Sequence, residues 1–195
     1  RDKVKYFDVI RGVWSYRVKT EHGKISSYKS RFCANGSHLQ FNHEDVFSPV
    51  ARASTMRIIQ SLAVLYGRRT KAGDIPSAYV KAPIPENVSL YVEQPKGFEI
   101  KEKEKWVYKL QKVIYGSPVS GNLWYNEVTR FLTSIGFKRS QADPCLFRYD
   151  RDNQHAFLVI VVDDIKLFRT NDEIEKFIIN KLKEKFDYKD LGEYK

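Results

Sequence analysis

Thiols, methionine and long apolar runs are all scarce in this chain. Two cysteines, Cys33 and Cys145, occur in 195 residues. That is too few for a disulfide framework, and the pair reads as reduced intracellular thiols buried as small hydrophobes. The longest apolar run, Ala156 to Val162, is seven residues long and ends at Asp163-Asp164, whereas a membrane-spanning helix needs about 20. Arg1-Asp2-Lys3-Val4-Lys5 opens the chain without an apolar stretch behind it, so neither a signal peptide nor a membrane partner is expected. Seven prolines and ten glycines are too few for a fibrous or low-complexity protein. There is no glycine-rich phosphate loop, no Ser/His/Asp elbow and no cysteine-nucleophile context. Acidic charge is also in deficit, with 24 Asp+Glu against 34 Lys+Arg and a net charge of +10. Such a balance suits a polyanionic partner through counterion release, and it equally suits a surface that is basic for solubility alone.

What is present is enough for a substantial core: 42% hydrophobic residues and 14% aromatics in a chain suited to one large domain or two small subdomains. Val13–Val18 and Ile25–Phe32 flank Glu21-His22-Gly23-Lys24 and predict a β-hairpin. Ser54 predicts a helix start before Met56, Ile59, Leu62, Ala63 and Tyr66, with Gly67 as its stop. Further strands are expected at 89–93, 106–110, 145–149 and 157–162, with a return strand at 165–168. A helix is expected over 123–135, and a last one is capped by Asn171 and carries Ile174, Phe177, Ile178, Leu182 and Phe186. Strands mixed irregularly with helices predict an α+β fold.

Three carboxylates stand out. Asp163 and Asp164 follow a β-branched run directly, and Asp74 ends another expected strand. Adjacent aspartates are poor strand formers. The pair is compatible with an ordinary hairpin turn, and also with a hard-cation site in which carboxylates on neighbouring strand ends hold divalent ions for phosphoryl transfer. Cys33, His38 and His43 are evenly spaced, but no fourth ligand follows at finger spacing, so zinc is not expected.

The surroundings of these aspartates resemble the reverse transcriptase domain of Ty1/copia-type retrotransposon Pol polyproteins, block by block and in order. Tyr28 to Phe32 is similar to YKAR(L), and Glu44 to Arg52 to DETFSPVVR. Asp74 to Tyr79 is similar to DVKTAF, and Tyr91 to Phe98 to YMEQPEGF. Tyr115-Gly116 with Trp124-Tyr125 follows LYGLKQ…WY, and Ile135 to Ser140 with Asp143 to Phe147 follows IGFKRS…SDPCLY. Val161 to Asp164 occupies the YVDD position. The chain departs from the pattern at Val161, at Ser117-Pro118-Val119 in place of LKQ, at Pro76-Ser77 and Lys81-Ala82 after Asp74, and at Gly36-Ser37.

The resemblance implies the fingers and palm of a right-hand polymerase, with an antiparallel palm sheet and packed helices. The fingers would take approximately residues 1–73 and 90–140, and the palm 74–89 and 140–195. It implies a fragment, or a truncated copy, ending before the thumb and RNase H. It further implies RNA-directed DNA synthesis on an RNA template and a DNA or RNA primer from deoxynucleoside triphosphates. Asp74, Asp163 and Asp164 would be the catalytic and metal-binding triad for two Mg2+ or Mn2+ ions. Lys29 and Arg31, two apart on one strand and so on one face, would grip the nucleotide's phosphates. Tyr79 would bar a 2′-hydroxyl. Without the resemblance, Lys29 and Arg31 fit a solvated strand face and Tyr79 fits a core aromatic. Cytoplasmic particles or the nucleus are the expected locations, with the rest of the Pol polyprotein a further partner. The alternative is a catalytically inactive, nucleic-acid-binding remnant, which the losses at Val119 and Val161 favour and the intact aspartates oppose.

The charge balance generates one expectation. Affinity for an RNA–DNA hybrid should fall steeply as salt rises, with a log–log slope of about −3 or steeper if several phosphates are contacted. Fluorescence anisotropy across a salt series checks it, and a flat dependence would count against a nucleic-acid partner.

Overall fold

The computed structural model describes residues 9–37, 39 and 41–193. The N-terminal run Arg1 to Lys5, the candidate ligand His38 and the last residues Tyr194 and Lys195 lie outside them. Strands and helices mix as an α+β fold requires, and the chain divides into two compact units, Arg1–Phe47 with Ala82–Leu123, and Ser48–Lys81 with Trp124–Lys195. These divisions differ from the boundaries expected near 73, 90 and 140. The helix at 53–65 and the strand at 71–74 group with the second unit, because both lie against a strand at 164–169.

The first unit is built on a long hairpin, β1 (Val9–Glu21) and β2 (Lys24–Asn35), paired antiparallel from Arg11↔Asn35 to Glu21↔Lys24. Both tip residues have positive φ, His22 at 51° and Gly23 at 76°, which is the type I′ turn that matches strand twist. The base of β1 pairs in parallel with β4 (Tyr91–Glu93), which pairs with β5 (Val107–Lys109), so the sheet order is β2-β1-β4-β5. The Tyr115-Gly116 segment docks on β2, where the Ala34 amide donates to the Tyr115 carbonyl at 2.6 Å. At Gly116, with φ of +82°, a Cβ would lie 2.0 Å from the Ala34 carbonyl oxygen. Only glycine allows that approach. A short helix, α1 (His43–Val46), is held by the Asn122 amide, which donates to the carbonyls of Glu44 and Phe47 at 2.9 and 2.8 Å.

The second unit contains a six-stranded antiparallel sheet of order β10-β3-β9-β8-β7-β6. Its strands are β3 (Lys71–Asp74), β6 (Lys138–Arg139), β7 (Leu146–Arg151), β8 (Gln154–Val161), β9 (Asp164–Arg169) and β10 (Lys189–Glu193). The β8 run is apolar without alternation because both of its faces are covered, with Leu158, Val159 and Ile160 all buried. Helix α2 (Ala53–Leu65) packs Ile59 and Ala63 against Val159 and Phe168, with Val161 at the edge of this cluster. Helix α4 (Asp172–Phe186) lies against β8 and β9 and buries Ile174, Ile178, Ile179, Leu182 and Phe186. Asn171 caps α4 as expected, its side-chain oxygen accepting from the Glu173 amide. Helix α3 (Ser120–Ser134) begins three residues earlier than expected, since the Val119 carbonyl accepts its first helical bond from Leu123.

Ser54 does not cap α2. It lies inside the helix, and the flanking residue Arg52 makes no side-chain cap bond. The buried Asp143 caps it from elsewhere in the chain, its carboxylate accepting from the Arg52 amide at 3.0 Å, the Thr55 hydroxyl at 2.5 Å and the Cys145 amide at 2.9 Å. Burial pushes the Asp143 carboxyl toward its neutral form, but the bonds from Thr55, Arg52 and Cys145 outweigh burial and hold it below the usual carboxylate range. A depressed pKa contributes stability that is present above the unfolded-state pKa and is lost as pH falls through the folded value. Asp143→Ala should therefore cost about 2–4 kcal/mol at neutral pH, and its deficit in urea melts should shrink in acid. An equal deficit at pH 7 and in acid would remove the cap from the account.

Candidate active site

Strand pairing brings the acidic residues together. In the β3–β9 ladder Asp74 stands directly opposite Asp164, so their side chains leave the same face with Cβ atoms about 5 Å apart. Asp163 is supplied by the β8–β9 turn, which Val161 and Asp164 close around the central pair Val162-Asp163. Val162 has φ of +60°, whereas no positive φ occurs at Asp163. That is the type II′ pattern, whose first central position is normally glycine. A β-branched residue there is strained. Both central carbonyls are engaged: the Trp124 indole N–H donates to Val162 at 2.6 Å, and the Ile75 amide donates to Asp163 at 2.9 Å.

The electrostatics follow from this placement. Burial, then the negative charges of Asp163 and Asp74, push the Asp164 carboxyl above its usual range, with Lys166 opposing. Three carboxylates thus feel one another at one end of the sheet. Tyr79 lies on the turn Ala78–Lys81 and is half-buried. Burial and then the charge of Asp163 raise its phenol above the ordinary value. Lys81 on the same turn pairs with Asp187 at 2.6 Å, just beyond α4. Among the described residues no three His, Cys, Asp or Glu side chains form a ready-made metal site. The donor chemistry nevertheless suits a hard divalent cation, because the groups are all carboxylates and their mutual repulsion is what a cation relieves. The Cys33 thiol is turned to the Arg31 carbonyl at 3.9 Å.

Lys29 and Arg31 belong to the other unit. The β1–β2 register sorts that ribbon into two unlike faces. Ser15/Arg31, Arg17/Lys29 and Lys19/Ser27 share a basic face, while Trp14/Phe32, Tyr16/Ser30 and Val18/Tyr28 share an aromatic one. Arg31 stacks its guanidinium on the Tyr115 ring, 5.4 Å from the centroid. On the opposite face Trp14 is wedged against Phe32 and Phe98, with centroids 5.4 and 5.5 Å away, while Tyr16 and Tyr28 stand 75% and 77% exposed. Val119, where the resemblance expects a glutamine, is buried in the first unit at 4% exposure.

Two contributors carried no chemistry when read from sequence. Trp124 was visible only as part of a Trp-Tyr motif. Tyr188 packs its ring over Gly73, where a Cβ would fall 1.9 Å from the phenol oxygen. A bulky β-branched residue placed before two turn aspartates was the only local hint that the turn needs outside support.

The fold is an α+β scaffold with an antiparallel sheet that presents aspartates from a strand end and a tight turn, and comparison with known proteins gives it a family. Residues 3–195 match the family model described as reverse transcriptase (RNA-dependent DNA polymerase), and the chain belongs to that family. It is 29% identical over 183 residues to the retrovirus-related Pol polyprotein from transposon TNT 1-94 of Nicotiana tabacum, covering 92% of this chain and 14% of that protein. It is 28% identical to the corresponding polyprotein from transposon RE1 of Arabidopsis thaliana, covering 92% and 12%. Against the transposon Ty1-BL Gag-Pol polyprotein of Saccharomyces cerevisiae it is 29% identical over 208 residues, covering 98% and 11%. The chain therefore corresponds to the reverse transcriptase domain of Ty1/copia-type Pol polyproteins and spans about one-eighth of their length.

The crowded acids carry a stability signature. A carboxyl whose folded pKa is raised gives a contribution that is complete below its unfolded pKa and is lost as pH rises through the folded value. Asp164→Asn should therefore raise the melting temperature at pH 7 without divalent ions by about 1–2 °C, small because the group is partly solvated. The gain should vanish near pH 3. A variant less stable than the parent at pH 7 would show that the repulsion is not felt.

Proposed function

We propose that this chain carries out templated addition of deoxynucleotides to a primer 3′-hydroxyl, with RNA as template. The opposition of Asp74 and Asp164 across β3 and β9, with Asp163 on the adjoining turn, is the observation that carries the reading. In it the six-stranded unit acts as the palm and the unit with the long hairpin as the fingers. Asp74, Asp163 and Asp164 would hold two Mg2+ or Mn2+ ions. Bound there, the ions supply the charge neutralisation needed by the primer oxygen and by the departing pyrophosphate. The chain's own residues do the positioning. Lys29 and Arg31 offer charge-assisted bonds to phosphate oxygens from the basic face of the ribbon, and the stacking of Arg31 on Tyr115 limits where its guanidinium goes. Tyr79, whose phenol feels the charge of Asp163, would discriminate against a 2′-hydroxyl by clash. Template and primer are bound chiefly through their backbones, and the exposed Tyr16 and Tyr28 offer faces on which unpaired bases stack. The free thiols of Cys33 and Cys145 suit a reducing, intracellular location, and the remainder of a Pol polyprotein is a natural partner.

One observation favours a second reading, an inactive nucleic-acid-binding remnant. Val119 is buried, and its side chain has no hydrogen-bonding group to present where the resemblance expects glutamine.

Primer extension on an RNA template with Mg2+ decides between the two. The parent chain should extend slowly, and Asp163→Asn and Asp74→Asn should cut extension by about a hundredfold or more while the fold is retained. In the active parent, Tyr79→Ala should raise incorporation of ribonucleotides relative to deoxynucleotides. RNA binding without any extension by the parent would establish the remnant reading instead.

A further inference from the structure

We propose that Trp124 is a positioning residue that holds the aspartate-bearing turn in its strained form. The functional consequence rests on the reading of Asp163 and Asp164 given above, whereas the hold itself does not. Val162 is a β-branched residue at φ of +60° in the position of a type II′ turn where glycine is usual. Left alone, the turn would relax toward φ below zero, which rotates the following peptide and re-aims Asp163. What opposes relaxation is the bond at 2.6 Å from the Trp124 indole N–H to the Val162 carbonyl. The donor is fixed in turn. Trp124 is 2% exposed on α3, and its ring meets Phe186 edge-on at 5.2 Å between centroids. Phe186 is itself 1% exposed and also meets Phe131 at 5.0 Å. A buried indole N–H needs an acceptor, and here the acceptor is the carbonyl of the strained residue. Phenylalanine in this place would keep a ring against Phe186 and lack the donor. Ile75 plays the complementary part from the β3 side by donating to the Asp163 carbonyl at 2.9 Å. The turn is thus pinned at both central peptides, which keeps Asp163 and Asp164 in fixed register with Asp74.

The test is a double-mutant cycle of Trp124→Phe and Val162→Gly. Phenylalanine keeps an aromatic ring against Phe186 and deletes the donor, while glycine removes the strain that the donor opposes. Melting temperature, Mn2+ affinity, and the amide resonances of Asp163 and Asp164 are read for the parent, both single variants and the double. Trp124→Phe alone should lower the melting temperature by several degrees, weaken Mn2+ about tenfold, and shift or broaden both amide signals. In the Val162→Gly background each effect should fall to less than a third. An equal effect in both backgrounds would make Trp124 a packing residue and overturn the proposal. So would a silent Trp124→Phe, or a coupled melting effect that leaves the two amides and Mn2+ affinity unmoved. Should the parent itself bind no Mn2+, the metal reading of the aspartates fails. The melting and amide measurements then still decide whether Trp124 holds the turn.

Discussion

The pairing of β3 between β9 and β10 is the constraint on which the rest of this protein depends. Four residues, Lys71 to Asp74, carry both the ladder that sets Asp74 opposite Asp164 and the ladder that seats β10. A slip of one residue would turn every side chain of β3 to the other face and take Asp74 away from its partner. The register is fixed by shape at one end, where Gly73 admits the Tyr188 ring, and by charge at the other. There Lys71 bonds Glu175 of α4 at 2.8 Å and Asp190 of β10 at 2.9 Å. Arg169 pairs with the same Glu175, with Glu193 at 3.3 Å, and with the Arg69 carbonyl.

Arg169 and Glu175 are the buried members of this set, and such ions contribute specificity more than stability. Removing such charges from water costs nearly as much as their attraction returns, but breaking the set leaves an uncompensated charge inside. The bonds from Glu175 and Asp190, ahead of burial, hold the Lys71 ammonium above its usual range, so it stays charged at any physiological pH. The arrangement rejects alternative registers of β3 and β10, because each would strand at least one ion. The acidic end of the sheet uses the opposite logic. There the carboxylates repel, and only the rigid ladder and the pinned turn keep them together. A chain of net charge +10 thus concentrates three negative charges at one place, with Lys166 opposing them only in part. Stability is locally sacrificed where these carboxylates crowd together.

Much of this was legible along the chain. Alternation and turn residues located the β1–β2 hairpin, and Asn171 located the start of α4, because those elements are specified by neighbours in sequence. The cap of α2 was misplaced at Ser54 because the true acceptor, Asp143, comes from a distant loop. Strand β10 was not anticipated. Lys189–Glu193 has little β-propensity of its own and becomes a strand only because the edge of β3 offers partners. The subdomain divisions differed for the same reason, since α2 and β3 are assigned by what they pack on and not by their order.

Sequence by itself determined the chemistry available: which residues are acids, which strands end in them, and the family whose blocks they reproduce in order. It determined too that Lys29 and Arg31 share a face, since a strand alternates whatever its surroundings. Tertiary structure alone decided that Asp74 meets Asp164, that Val162 is held at a positive φ by an indole, that Val119 is buried, and that one ribbon is basic on one side and aromatic on the other. Each of these depends on a register or a contact between distant segments. Local propensity falls silent on such matters, because the free energy that selects them is gained only when both segments are already in place.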